Sequence, residues 1–124
     1  MESKYYFSFE DLIIYKKAME YGEIVHNQLK KFPKIEDYRL SSQFARAADS
    51  IAFNIAEGSG SSDARFLNYL GISRDSSREC VSATTKAFKR GYISFEEYET
   101  NRGLLVEINK MLSSLMKHLR SKEK

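Results

Sequence analysis

The sequence predicts an all-α protein folded as an up-down-up-down antiparallel four-helix bundle. Three observations carry this reading. The 124 residues include one proline and six glycines, and the strongest breaks, at Pro33, the Gly58 to Ser62 cluster and Gly91, cut the chain into four segments. Each segment repeats its apolar residues with the 3.6-residue period of a helix. No segment shows the period-two alternation and turn dipeptides of strands. Short connections then make sequential helices antiparallel neighbours.

The first helix is expected over about 9–31. It opens with Ser8-Phe9-Glu10-Asp11, in which Ser8 can accept from an orphan amide and Asp11 can answer it. Leu12, Tyr15, Ala18, Met19, Tyr21, Gly22, Val25, Leu29 and Phe32 fall on one broad core face. The second helix, about 41–57, groups Leu40, Phe44, Ala45, Ala47, Ala48, Ile51, Ala52 and Ile55. Its alanines permit close approach, and Gly58 is expected to supply a left-handed cap.

The third helix, about 63–90, has Ser62 as its N-cap and groups Phe66, Leu67, Tyr69, Leu70, Cys80, Val81, Ala83, Ala87 and Phe88 before Gly91 closes it. The fourth, about 95–119, follows the capping-box spacing of Ser94-Phe95-Glu96-Glu97. Tyr98, Leu105, Ile108, Leu112, Leu115, Met116 and Leu119 form its stripe. Residues 117–124 are expected to fray.

Apolar residues at 42% and charged residues at 30% match a globular protein with a packed core, and the length fits a single domain over 1–124. The lone cysteine, Cys80, excludes an intramolecular disulfide and a four-cysteine zinc site, and fits a reducing compartment. No stretch reaches the ~18 apolar residues of a membrane span, and Met1 to Phe7 lacks the basic region followed by an apolar core expected of a signal sequence. A cytoplasmic protein without membrane contact is expected.

Catalysis finds little support in the residues. Glu23 and His26 have the Glu-x-x-His spacing of carboxylate di-iron bundles, but the second motif is missing, since Leu115 precedes His118 by three residues. Cys80 has no histidine at helical spacing to activate it, and Gly58-Ser59-Gly60 lacks a hydrolase elbow and a phosphate-loop lysine. We therefore expect no enzyme, no metal and no cofactor.

Binding is the stronger expectation. On the second helix Gln43, Arg46, Ser50, Asn54 and Glu57 form a polar stripe. It is either a solvated face or a hydrogen-bond network between helices or subunits, with Arg46 pairing a carboxylate such as Glu57 or one from another helix. Phe53 lies on that polar side, and Ile13 and Ile24 lie on the polar face of the first helix. Together they point to a subunit interface.

The net charge is only +3, so its distribution matters, and residues 61–93 carry an excess of three positive charges. There Arg74, Arg78 and Lys89 share one stripe, with Lys86 and Arg90 farther round, an arrangement able to track phosphates. Lys117, His118, Arg120, Lys122 and Lys124 form a second cluster, read as a flexible basic tail. Solubility alone is the competing explanation for both clusters.

The segment from Tyr38 to Gly58 resembles the signature Tyr-x-Leu-x-x-Gln-x-x-Arg-Ala-Ala-x-Ser-Ile-x-x-Asn-Ile-Ala-Glu-Gly of the four-helix bundle proteins associated with intervening sequences in bacterial 23S ribosomal RNA genes. Phe9 to Leu12 with Tyr15, Lys16 and Ala18, then Arg65-Phe66-Leu67 and Gly91-Tyr92-Ile93, extend the likeness over nearly the whole chain. Ala52 replaces a frequent proline, and Asp75 and Ser77 depart from the family's pattern. The resemblance implies a ring-shaped homopentamer. It also implies kinship with the accessory variability determinant proteins of diversity-generating retroelements, which bind nucleic acid and a reverse transcriptase. The expected function is a non-enzymatic, oligomeric accessory protein that binds RNA or DNA mainly through phosphates; the alternative is a protein-interaction scaffold without nucleic-acid binding.

Overall fold

Leu12 decides where the first helix starts. In the computed structural model, which describes residues 1–122, its extended backbone (φ −64°, ψ 124°) separates a 3-10 turn, Ser8–Asp11, from helix α1, Ile13–Leu29. The expected Ser8–Asp11 cap is not formed. Instead the Glu10 carboxylate accepts the Phe7 amide at 3.1 Å, and Asp11 accepts from the Tyr6 hydroxyl. A second 3-10 turn, Lys34–Glu36, follows Pro33, and the remaining helices are α2, Leu40–Ser59, α3, Asp63–Lys89, and α4, Phe95–Lys122. Strands are absent among the described residues.

Capping chemistry explains most of the other ends. Ser62 Oγ accepts from the Arg65 amide at 3.3 Å, and Gly91 (φ +78°) supplies the left-handed residue that lets the chain leave α3. Ser94 and Glu97 exchange two bonds, at 2.8 and 3.1 Å, as the capping-box spacing predicts. Gly58 differs from expectation: α2 runs through it to Ser59. A Cβ there would stand 2.7 Å from Tyr69 Cβ and 2.9 Å from Phe66 Cδ1. Its missing side chain serves the close approach of α2 to α3.

Each helix packs against its sequence neighbours, and α4 closes against α1. All four contacts are antiparallel. Phe32 meets Phe44 at one end of the α1–α2 pair, while Tyr15 and Ala56 line a groove at the other. Ser50 reaches Ser76 and Ile51 reaches Ser73 between α2 and α3. Phe88 stacks on Tyr98, Ser77 meets Asn109 and Asp63 pairs with Lys122 along α3 and α4. Gln28 bonds Asn101, and Lys17 pairs with Glu107 between α1 and α4.

The expected apolar faces converge on a core that includes Tyr21, Val25, Phe44, Ile51, Ile55, Leu70, Ile108 and Leu112. Two assignments on α1 change. Ile14 is buried and Met19 is exposed, because successive residues lie ~100° apart and the face is centred on Ala18 and Val25. Lys117 to Lys122 are helical rather than frayed: Leu119 is buried and Lys122 reaches Asp63 at 3.6 Å. Lys124, the end of the expected tail, lies outside the described residues. No described helix is long and apolar enough to cross a membrane.

Candidate nucleic-acid interface

The inner side of α3 is unusually polar for a buried face, with Ser73, Ser76, Ser77 and Thr84 packed beside Leu70, Cys80 and Ala87. That inner face sets the direction of the outer one. Arg78, Lys86 and Lys89 are exposed and Arg74 is half-buried, over a length of about 22 Å at 1.5 Å per residue. None of the four forms an ion pair among the described residues. Asp75 and Glu79 are exposed between them, so the stripe is a mixed row with a basic excess rather than a continuous cationic rail.

Arg90 is diverted from that row. Its Nη1 donates to Glu36 Oε2 at 2.8 Å, and the Tyr92 hydroxyl donates to the same oxygen at 2.8 Å. Glu36 is buried, and its other oxygen accepts the Leu40 amide at 3.4 Å. The Tyr92 hydrogen bond above all, aided by the Leu40 amide and Arg90, holds the Glu36 carboxyl below the ordinary carboxylate range against the opposing effect of burial. Arg90 therefore ties the α1–α2 connection to the α3–α4 turn.

The polar stripe of α2 divides into two parts. Asn54 Nδ2 donates to the Ser50 carbonyl and hydroxyl, both at 2.8 Å, and Ser76 Oγ donates to Ser50 Oγ at 2.8 Å. This part is an α2–α3 network. Gln43, Arg46 and Glu57 instead face solvent, and Arg46 has no ion pair among the described residues. The expected Arg46–Glu57 pair is not formed, because eleven residues of helix put them ~16 Å apart along the axis.

The three expected interface residues do not form one patch. Ile13 is 69% exposed beside the α1–α4 groove, and Phe53 is 66% exposed on the rim of an apolar α1–α2 groove of about 280 Å³. Ile24 is half-buried within its own bundle. Of the Glu23–His26 pair, Glu23 is exposed and His26 Nε2 lies 3.0 Å from both Asp49 carboxylate oxygens. Burial pushes the Cys80 thiol up to about 12.

Several polar residues that matter were not singled out by the sequence reading. Gln28 and Asn101 exchange two hydrogen bonds, at 2.9 and 2.7 Å, inside the α1–α4 seam, and Asn109 donates to Ser77 at 2.7 Å. An amide falling within an apolar stripe is the signal that marks such residues. Lys30, Lys34 and Arg39 come to the same end of the bundle as Lys86 and Lys89, an arrangement hidden from a segment-by-segment charge count.

Comparison with known proteins supplies the relationship. A crystal structure of a protein with unknown function from the S23 ribosomal protein family of Bacteroides thetaiotaomicron is similar at a TM-score of 0.78 and 29% identity. The match covers 85% of this chain and 99% of that one. No curated protein matches the chain. Residues 10–114, which include all of α1, α2 and α3 and most of α4, match the family described as 23S rRNA-intervening sequence protein, and the chain belongs to that family.

Proposed function

We propose that this protein is a non-enzymatic, oligomeric accessory protein of the cytoplasm that binds RNA or DNA chiefly through phosphate contacts. One observation carries the reading. Arg74, Arg78 and Lys89, with Lys86 farther round, follow the outer side of α3 without a carboxylate partner among the described residues, whereas the cation that follows them, Arg90, is held by Glu36. Phosphates would release counterions from such a row without any base being read. The family's link to ribosomal RNA genes supports a nucleic-acid partner.

Assembly belongs to the same reading. Ile13 and Phe53 are the apolar residues offered to other copies, in the ring-shaped homopentamer that the family likeness implies, and repetition of the α3 row around a ring would add its weak contacts together. Where the gene accompanies a retroelement, a reverse transcriptase is the expected protein partner.

The test is binding to structured RNA, single-stranded DNA and duplex DNA across a salt series, with an Arg74→Glu, Arg78→Glu, Lys89→Glu variant alongside. Affinity should fall steeply with salt, and the variant should flatten the log–log slope by roughly two to three. Absence of binding at low salt would remove the nucleic-acid reading and leave the protein-scaffold alternative.

A further inference from the structure

Two connections meet at one end of the bundle. Glu36 accepts from both Arg90 and Tyr92, Phe32 packs on Tyr92 at 5.1 Å between ring centroids, and Lys31 pairs with Glu97. The α1–α2 connection and the α3–α4 turn are thereby held as one surface, carrying residues that no single segment would bring together.

That surface presents aromatic rings to solvent. Tyr38 is 97% exposed, directly beyond the 3-10 turn that Glu36 anchors. Phe95 is 63% exposed, yet its position is set by Phe88 at 6.0 Å and Tyr98 at 6.1 Å. Behind it Phe88 stacks on Tyr98 at 4.6 Å, and the Arg102 guanidinium lies 5.2 Å from the Tyr98 ring. Phe95 is therefore a supported ring with one open side.

Unpaired charge shares this end of the bundle with the rings. Lys30, Lys34, Arg39, Lys86 and Lys89 have no carboxylate partner among the described residues, against Asp37, Glu96 and Glu99 as the unpaired carboxylates of this end. At the opposite end, residues 1–12, 57–65 and 117–122 carry five acidic and five basic side chains. Tyr5, Tyr6 and Phe7 expose rings at that opposite end too, but without a basic excess, so rings and excess positive charge coincide only at the end that carries Tyr38 and Phe95.

We propose that this end binds single-stranded nucleic acid, with unpaired bases stacking on Tyr38 and Phe95 while Lys34, Arg39 and Lys89 hold the flanking phosphates. The inference rests on the nucleic-acid reading above and adds the strand class and a second contact surface. Stacking needs a free base face, which a duplex conceals except at its ends. A protein partner fits less well, because lysine is depleted at the centre of protein interfaces and here Lys30, Lys34, Lys86 and Lys89 share the end of the bundle that carries the aromatic side chains.

The experiment compares a 15-nucleotide oligo-dT with an abasic oligomer of the same length and charge, by fluorescence anisotropy at fixed salt. Oligo-dT should bind roughly 25- to 100-fold more tightly, as two stacked rings of ~5- to 10-fold each imply, and Tyr38→Ala or Phe95→Leu should each erase its own ~5- to 10-fold factor while leaving the salt slope unchanged. Tyr38 is too exposed for its removal to disturb packing, and leucine keeps apolar contact with Phe88. A 5-iodouracil-substituted strand should photocross-link to the peptides containing Tyr38 or Phe95. Equal affinity for the two oligomers, or variants that keep the full preference, would overturn stacking and leave the phosphate-binding reading intact. Failure of both oligomers to bind at low salt would overturn both readings. Loss of binding to phosphatidylglycerol vesicles in Tyr38→Ala, with no preference for oligo-dT over the abasic strand, would reassign this end to a membrane surface.

Discussion

Gly58→Ala tests the packing logic of the bundle through the sign of its effect. In an ordinary helix interior, replacing glycine by alanine stabilises by about 0.5–1 kcal/mol, because glycine has more backbone freedom to lose. At Gly58 the new Cβ would lie 2.7 Å from Tyr69 Cβ, which is 0.7 Å inside the 3.4 Å at which ordinary contact begins, and 2.9 Å from Phe66 Cδ1. Tyr69 Cβ is fixed to the α3 backbone and cannot swing away, so α2 and α3 must separate. Overpacking of this kind costs about 1–3 kcal/mol, which leaves a net loss of roughly 0.5–2 kcal/mol after the gain in helix propensity. For a domain of this length that is a fall of about 2–8 °C in Tm. Gly71 and Gly103 are the internal controls: both are helical, with open space where a Cβ would be. Gly71→Ala and Gly103→Ala should each raise stability by about 0.5–1 kcal/mol. Urea unfolding followed by circular dichroism, at one protein concentration so that assembly contributes equally, reads all three. A Gly58→Ala protein stabilised as much as the two controls would refute the close approach of α2 and α3.

Three further predictions address the polar groups. Gln28→Leu or Asn101→Leu alone should cost about 1–3 kcal/mol by leaving a buried amide unpaired, and the double variant should recover most of it; simple additivity in a double-mutant cycle would show that the reciprocal pair is not formed. Because the folded Glu36 carboxyl is held low, chiefly by Tyr92, its contribution is complete above the ordinary carboxylate value of 4.5 and is lost as pH falls through the lower folded value. The stability gap between the natural protein and Glu36→Gln should therefore shrink as melting is followed from pH 7 towards pH 3, and a constant gap would contradict this. Cys80, buried and with its thiol pushed up to about 12, should resist iodoacetamide at pH 7.5 in the folded protein and react once unfolded; rapid labelling of the native state, read by mass spectrometry, would contradict its burial.

Self-association is tested separately. Phe53→Ser should lower the assembled mass read by light scattering while leaving helicity unchanged, since the ring is 66% exposed in the single chain. An unchanged mass would remove Phe53 from the proposed subunit interface.

The four helices, the Ser62 cap, the Ser94–Glu97 box and the Gly91 turn are written locally: each depends on residues a few positions apart, and amphipathic periodicity suffices to find the rest. The likeness between Tyr38 and Gly58 and the family signature was equally visible in one stretch of sequence. What sequence order concealed was every relationship set by the distance between helices. Gly58 looked like a cap and is a contact, because only the position of Tyr69 reveals what its Cβ would meet. Ser50 and Asn54 separated from Gln43, Arg46 and Glu57 because the serines of α3 lie opposite only part of the stripe. Arg90 appeared continuous with the α3 row until Glu36, 54 residues earlier in the chain, captured it. The same closure brings Lys30, Lys34 and Arg39 to the end of the bundle that also carries Lys89 and Phe95. A helical wheel orders residues around one axis, whereas a binding surface is made where several axes end.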